Sequence, residues 1–311
     1  MDTCIIKTLS YFDIFDYPLT FEELKKYLCC EIDCTDDNLF EIINSISSIQ
    51  ESNGYYHLLG RQQITSTRSE RSDIGIAKYA KAKIIAKILS TIPTIEYIGI
   101  SGSLSMNNAT YSDDIDLFFI TKKNSLWITR FMITLILYVM RQKRDRNGRV
   151  ARDKICPNMF MEVGKLSFSR KRKTLYTAHE IVQLKTIFDR NNTYVKFINQ
   201  NKWVKELLPN VKFPRHHSKR ISIRERIFQK TITPIEKFAF IFQSLYMRKS
   251  KSREVVSYGR AYFHPIDRQK LIMEMYELRH KRYMRLYEDN IWIDKDEARF
   301  YWEEKKIRIL N

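Results

Sequence analysis

Residues 99–121, GISGSLSMNNATYSDDIDLFFIT, decide how this chain is read. The run begins in one apolar stretch, YIGIS, and ends in another, DIDLFFIT, with a glycine turn and an irregular polar segment between them. Alternate side chains of a β-strand share a face, so the spacing sets Asp114 and Asp116 together and turns Ile115 and Leu117 toward a core. Two carboxylates held that close repel unless a cation lies between them, and a hard divalent cation with oxygen ligands suits the pair. Gly102-Ser103 follows directly on the first strand. Glycine permits a sharp turn and bares backbone N–H groups, a helix start there favours anions, and the Ser103 hydroxyl can donate to a phosphate oxygen. The pattern predicts a site that holds a triphosphate at both ends, with Mg²⁺ or Mn²⁺ on the aspartates.

Working outward, residues 72–91 read as an amphipathic helix with Ile76, Tyr79, Ala80, Ile84 and Ile88 on its apolar face, broken at Pro93. Leu126 to Met140 is the longest apolar stretch, 15 residues with Arg130 inside. It is too short and too charged to span a bilayer and reads as a buried helix, part of one running from about Ser125 to Arg144. The basic loop RQKRDRNGRVARDK leads to a third extended run, KICPNMFMEV. Strand, helix, strand, helix, strand predicts an α/β core over residues 66–170. Beyond 170 the periodicity is helical almost throughout, in TAHEIVQLKTIF, YVKFINQNKWVKELL, SIRERIFQKTI, PIEKFAFIFQSLYMRK and DRQKLIMEMYELRHKRYMRLYE, so residues 171–311 read as a basic helical domain.

Residues 1–65 read as three helices and a hairpin. Thr20 and Glu23 form a capping box, a further helix starts near Thr35, and Asn53-Gly54 is a two-residue hairpin turn. That order resembles a winged helix. The third helix begins with Asp36 and Asp37, carries Glu41 and has no Lys or Arg up to Arg61, which argues against DNA and for a docking or specificity module. The whole is an α+β chain: winged-helix-like module, small α/β core, helical domain.

The formal charge of +18 is uneven. Residues 1–100 carry 10 Lys+Arg against 14 Asp+Glu, residues 101–160 carry 10 against 5, and residues 161–311 carry 34 against 17. A basic half attracts phosphates over about 8–10 Å, which suits RNA, DNA or a nucleotide triphosphate; surfaces solvated with Lys and Arg give the same count. Five cysteines, Cys4, Cys29, Cys30, Cys34 and Cys156, show no disulfide spacing and suit a reducing cytosol. MDTCIIKTLSYFDIF lacks the pattern of a signal peptide, so a cytoplasmic protein with no membrane partner is expected.

Gly102-Ser103, then an Asp-x-Asp whose first Asp lies 12 residues after the glycine, with Ser112-Asp113 flanking it and an apolar strand following, resembles the signature of the nucleotidyltransferase superfamily that includes DNA polymerase beta, kanamycin nucleotidyltransferase and the minimal nucleotidyltransferases. YFDIFDYPLT, CPN, YTAHEIVQL and GRAYFHP further resemble uncharacterised bacterial and archaeal proteins with such a domain. The resemblance implies that Gly102, Ser103 and Ser112 bind nucleotide and that Asp114 and Asp116 are the metal-binding catalytic residues. It implies transfer of a nucleoside monophosphate from a nucleotide triphosphate to a hydroxyl on a small molecule, a protein or RNA, with release of pyrophosphate.

This chain departs from the pattern in two places. Met106 and Asn107 stand where many members have Arg and Gly. A third carboxylate is common on the next strand, where KICPNMFMEV offers Asn158, with Glu162 or Asp153 nearby. Asparagine keeps an oxygen ligand but cannot accept a proton, and Glu162 lies about 13 Å farther along a strand. The alternative is therefore a degraded member that binds nucleotide or RNA as a sensor or subunit.

Other motifs read as structural. His179-Glu180 begins a zinc-protease pattern, but Gln183 stands where the second histidine is required. Tyr258 to His264 mixes basic and aromatic residues and reads as a helix end and turn before Pro265; His216-His217 reads as solvated.

Overall fold

The structure, a computed structural model, describes residues 1–144, 152–214, 223–248, 255–263 and 266–288. It is α+β and divides into two compact units, one of Met1–Glu70, Trp203–Lys212 and Lys270–Asn311 (described as far as Glu288), the other of Arg71–Lys202 and Phe213–Gln269. Residues beyond 170 are thus shared between the units. No described helix is long and apolar enough to cross a membrane.

The first unit opens with α1 (Asp2–Asp13), α2 (Phe21–Tyr27) and α3 (Asp36–Ser45), followed by the hairpin β1 (Ile49–Ser52) and β2 (Tyr55–Leu58). Local chemistry sets each boundary. The Thr20 hydroxyl accepts from Glu23 N at 3.3 Å while the Glu23 carboxylate accepts from Thr20 N at 3.0 Å, and Thr35 accepts from Asn38 N at the start of α3. Asn53 and Gly54 both have positive φ, 57° and 78°, as a tight hairpin turn requires. Apolar side chains from these elements, Ile5, Leu9, Phe12, Leu24, Leu39 and Leu58 among them, are buried. Arg61 is buried between Asp13 at 2.7 Å and Asp16, and Arg279 reaches Asp13 at 2.8 Å from the last helix, α10 (Ile266–Glu288), so each buried charge is paired.

The second unit is built on a six-stranded mixed sheet of order β6-β3-β4-β5-β8-β7: β3 (Ile95–Ile100), β4 (Ile115–Thr121), β5 (Ile155–Glu162), β6 (Lys185–Asp189), β7 (Val255–Ser257) and β8 (Arg260–Tyr262). Only β4 and β5 run parallel. β3 is buried along its whole length, as an interior strand should be, and its one charged residue, Glu96, accepts from Asn191 Nδ2 at 2.9 Å.

Around the sheet lie α4 (Ile64–Leu89), the one-turn α5 (Gly102–Ser105), α6 (Leu126–Val139), α7 (Leu175–Val182), α8 (Thr193–Asn199) and α9 (Ile223–Arg248). The core joins Ile98, Ile100, Leu117, Phe119 and Phe160 of the strands to Ala82, Ile85, Ala86 and Leu89 of α4 and Leu126, Trp127, Ile133 and Leu137 of α6.

Three local expectations are corrected. The apolar face read for the helix over 72–91 is the wrong one: Ile76 and Ile84 are 66% and 64% exposed, while Ala82, Ile85, Ala86 and Leu89 are buried beside Lys78. Isoleucines and alanines stand on both sides of this helix, and contact with the sheet decides which side is buried. The stretch beyond 170 holds three strands, because KTIFD and the VVS/RAY pair are too short to show a period of two and form only by pairing with β3 and β5. The two helices read on either side of Pro234 are one helix, α9, with the proline inside it.

Candidate functional site

The site stands where β3 ends, α5 turns and β4 begins, all within the second unit. Ser101 N donates to the Asp116 carbonyl at 3.0 Å, tying the turn to the start of β4. Gly102 has φ +65°, and a Cβ there would come 2.8 Å from Asp116 Oδ2. Any other residue would be strained and would press on the carboxylate, so glycine is required twice over. The Ser103 hydroxyl is exposed and donates to Asp113 Oδ2 at 3.0 Å. α5 is a single turn; what it offers an anion is its bared amides rather than a summed helix dipole.

The loop before β4 is held from several sides. Asp113 accepts from Thr110 N at 2.9 Å and from the Thr110 hydroxyl at 2.8 Å, and that hydroxyl lies 3.2 Å from Ser112 Oγ. Lys78, only 3% exposed, donates to the Asp113 carbonyl at 2.6 Å, the Tyr111 carbonyl at 3.3 Å and Asp153 Oδ1 at 2.7 Å. Burial alone would raise the Asp153 pKa, but the bond and charge of Lys78 hold it below the usual carboxylate range. The Arg152 guanidinium lies 3.4 Å from the centroid of the exposed Tyr111 ring.

Asp114 directly precedes β4 and Asp116 is its second residue; both are half-buried while Ile115 and Leu117 are fully buried. The parallel register sets Asp116 beside Cys156 of β5. One ligand atom each from Asp114, Asp116 and Cys156 lie within 4.8 Å of one another, the separation at which side chains can share a cation. Arg144 Nη1 donates to Asp114 Oδ2 at 2.7 Å. Burial opposes the charge on Arg144, yet Asp114 and Cys156 outweigh it and raise its pKa. Burial, then the charges of Asp116 and Asp114, push the Cys156 thiol well above its ordinary value, so without a cation it stays protonated and a metal would have to displace the proton.

Of the other residues considered for a third ligand, Glu162 alone stands at the far end of the strand pair. Asn158 is buried at a register shift of β5, its carbonyl accepting from Phe263 N at 3.0 Å. Glu162 is paired with Thr121 at the opposite end of β4, accepts from Asn124 N at 3.0 Å and meets Lys165 at 3.2 Å. Asp153 is taken by Lys78.

Sequence reasoning passed over Cys156 and Lys78, whereas Arg144 belongs to the Lys and Arg residues of 141–154, whose place between the second and third core strands made them candidates for an acidic substrate as much as a solvated loop. The CPN run carried the first, but only strand register shows which of its residues faces Asp116. His179 is buried and its Nδ1 lies 3.3 Å from Gln183. Tyr258 and Gly259 form the β7–β8 turn, and Tyr262 is core. His216, His217 and His264 lie outside the described residues.

No protein-family model and no curated protein matches the chain. Among solved structures it is similar to a chain from a crystal structure of a toxin-antitoxin with AMP-PNP, at 17% identity over 40% of this chain and 89% of that one, with a TM-score of 0.25. A TM-score that low defines no shared fold.

Proposed function

We propose that this protein is a divalent-cation-dependent nucleotidyltransferase that moves a nucleoside monophosphate from a nucleotide triphosphate to a hydroxyl acceptor and releases pyrophosphate. The observation that carries the reading is the contact of the two halves of the motif: the Gly102 turn lies against Asp116, and Asp114, Asp116 and Cys156 gather beside it.

The donor set fits Mg²⁺ or Mn²⁺, which need one or two carboxylates and take the remaining ligands from phosphates and water. When bound, the cation supplies neutralisation of phosphate charge and a more acidic acceptor hydroxyl. Asp114 and Asp116 hold it, the Gly102-Ser103 amides and the Ser103 hydroxyl hold the phosphate tail, and Ser112 lies on the same rim. The acceptor oxygen bonds to the α-phosphorus as the bond to the pyrophosphate oxygen breaks, and the hydroxyl proton passes to solvent water. The Arg144 guanidinium, paired with Asp114, is suited to move onto phosphate once a metal takes over the carboxylate. The acceptor class, whether small molecule, protein or RNA, follows from the assay below; the basic residues 161–311 suit a polyanion.

A second reading is favoured by Cys156. A protonated thiol beside Asp116, with no carboxylate there, gives the site no proton acceptor on β5, which suits a protein that binds nucleotide without turning it over.

Incubation with each α-³²P nucleotide triphosphate, Mg²⁺ or Mn²⁺, and total RNA or cell extract tests both readings beside an Asp114→Ala/Asp116→Ala control. Label on an acceptor with the wild type alone supports the transferase. Nucleotide binding that needs the aspartates but yields no transfer supports the sensor, and neither binding nor transfer rejects both.

A further inference from the structure

The longest apolar stretch of the chain forms α6, and α6 is not buried all round. Its inner face, Leu126, Trp127, Ile133 and Leu137, is fully covered on the sheet. Every exposed position between Leu126 and Val139 is nevertheless apolar: Phe131, Met132, Leu135, Tyr138 and Val139, the last two each 73% exposed. These fall at i, i+1, i+4, i+7 and i+8, one continuous stripe.

α9 packs against α6 and repeats the arrangement. Its Glu236 carboxylate accepts from Trp127 N at 2.7 Å and Ile128 N at 2.9 Å, its Gln243 Nε2 donates to the Trp127 carbonyl at 2.7 Å, and its Phe240 ring lies 5.3 Å from the Trp127 ring. On the opposite side stand Ile235, Phe238, Ile241, Phe242, Leu245 and Tyr246, each more than half exposed. Lys237 is the only exposed charged residue from Ile235 to Met247. A helix that is apolar on all sides is a helix covered on all sides, and no described residue covers this one.

We propose that the outer faces of α6 and α9 form an isologous interface on which a second copy of this chain docks, α9 against α9 across a two-fold axis. Area is the first argument. The five aromatic rings on the stripes are 50–73% exposed; at about 200 Å² each they alone leave on the order of 600 Å² bare. With the six aliphatic side chains the face exceeds the roughly 300–600 Å² of the largest patch on an ordinary monomer and reaches the roughly 800 Å² each partner buries in a stable complex.

Charge is the second. A two-fold axis pairs residue i with j and j with i and sets residues on the axis against their own images, so charge close to the axis is disfavoured, and this face is all but free of it. Spacing is the third: Ile235, Phe238, Phe242 and Leu245 alternate by three and four, the seam of a helix pair.

The proposal stands apart from the nucleotide site and is tested on the full chain by sedimentation equilibrium across nanomolar to tens of micromolar concentration. The expected result is twice the mass of one chain at the upper end. Leu245→Glu and Phe238→Glu should each weaken association about 100-fold or more, with unchanged circular dichroism and a melting temperature equal to that of the wild type diluted to monomer. A monomer throughout the range, or a dimer unaffected by both Glu substitutions, overturns it.

Discussion

Carboxylates stand at both ends of the β4–β5 pair, and the protein treats them in opposite ways. At one end Glu162 and Glu236 are at most 2% exposed and are given backbone amides, Glu162 that of Asn124 and Glu236 those of Trp127 and Ile128 at the start of α6. At the other end Asp114 and Asp116 are half-buried, drawn together with Cys156, and faced by the Arg144 side chain. A carboxylate locked onto helix-start amides is part of the scaffold, since it satisfies donors that would otherwise be buried unpaired. Carboxylates gathered with a third ligand atom are an arrangement that a cation would bridge. On the proposed function the two ends have separate tasks, and substitutions there should fail in different assays.

The largest contrast is expected from Asp116→Asn. Transfer and Mn²⁺ binding, the latter read from the free-Mn²⁺ resonance, should fall about 1,000-fold, while stability to urea stays equal or rises as repulsion is removed. A loss of stability without loss of metal binding would place Asp116 with the scaffold carboxylates.

Glu236→Ala should do the reverse, costing about 2–3 kcal/mol in urea unfolding by leaving two buried amides unmet and sparing nucleotide affinity. Its pH dependence carries a sign. Burial raises the Glu236 pKa above the ordinary value of 4.5, although the two amides pull it down. The unfolded chain therefore ionises first, and stability from this group, full below that ordinary value, declines as pH rises through the elevated one. The wild-type advantage over Glu236→Ala should be greatest in acid and narrow toward neutrality; an advantage that grows with pH would contradict this assignment.

Gly102→Ala should cost about 1–2 kcal/mol from its left-handed backbone alone. Because the added methyl also meets Asp116, metal affinity should weaken in the same variant, and full affinity would show that turn and aspartates act independently.

Cys156→Asp is the finest probe. Thiolate favours softer cations than carboxylate does, so the variant should shift preference from Mn²⁺ toward Mg²⁺ by about tenfold in direct binding. An unchanged preference would place Cys156 outside the coordination sphere.

Much of this was legible in the chain itself. The Thr20/Glu23 capping box, the Asn53-Gly54 turn, the Gly102 turn and the alternation that sets Asp114 and Asp116 against Ile115 and Leu117 are local, because they depend on backbone freedom and a period of two. What the sequence left open is of another kind. The buried side of α4, the strands β6 and β8, the choice of Cys156 over Asn158 or Glu162 as neighbour to Asp116, and the capture of Lys78 by three oxygens all depend on which surface meets which. Periodicity records that a residue has an inward side but not what lies there, and the register of a parallel pair, with its shift at Asn158, exists only once the sheet is assembled.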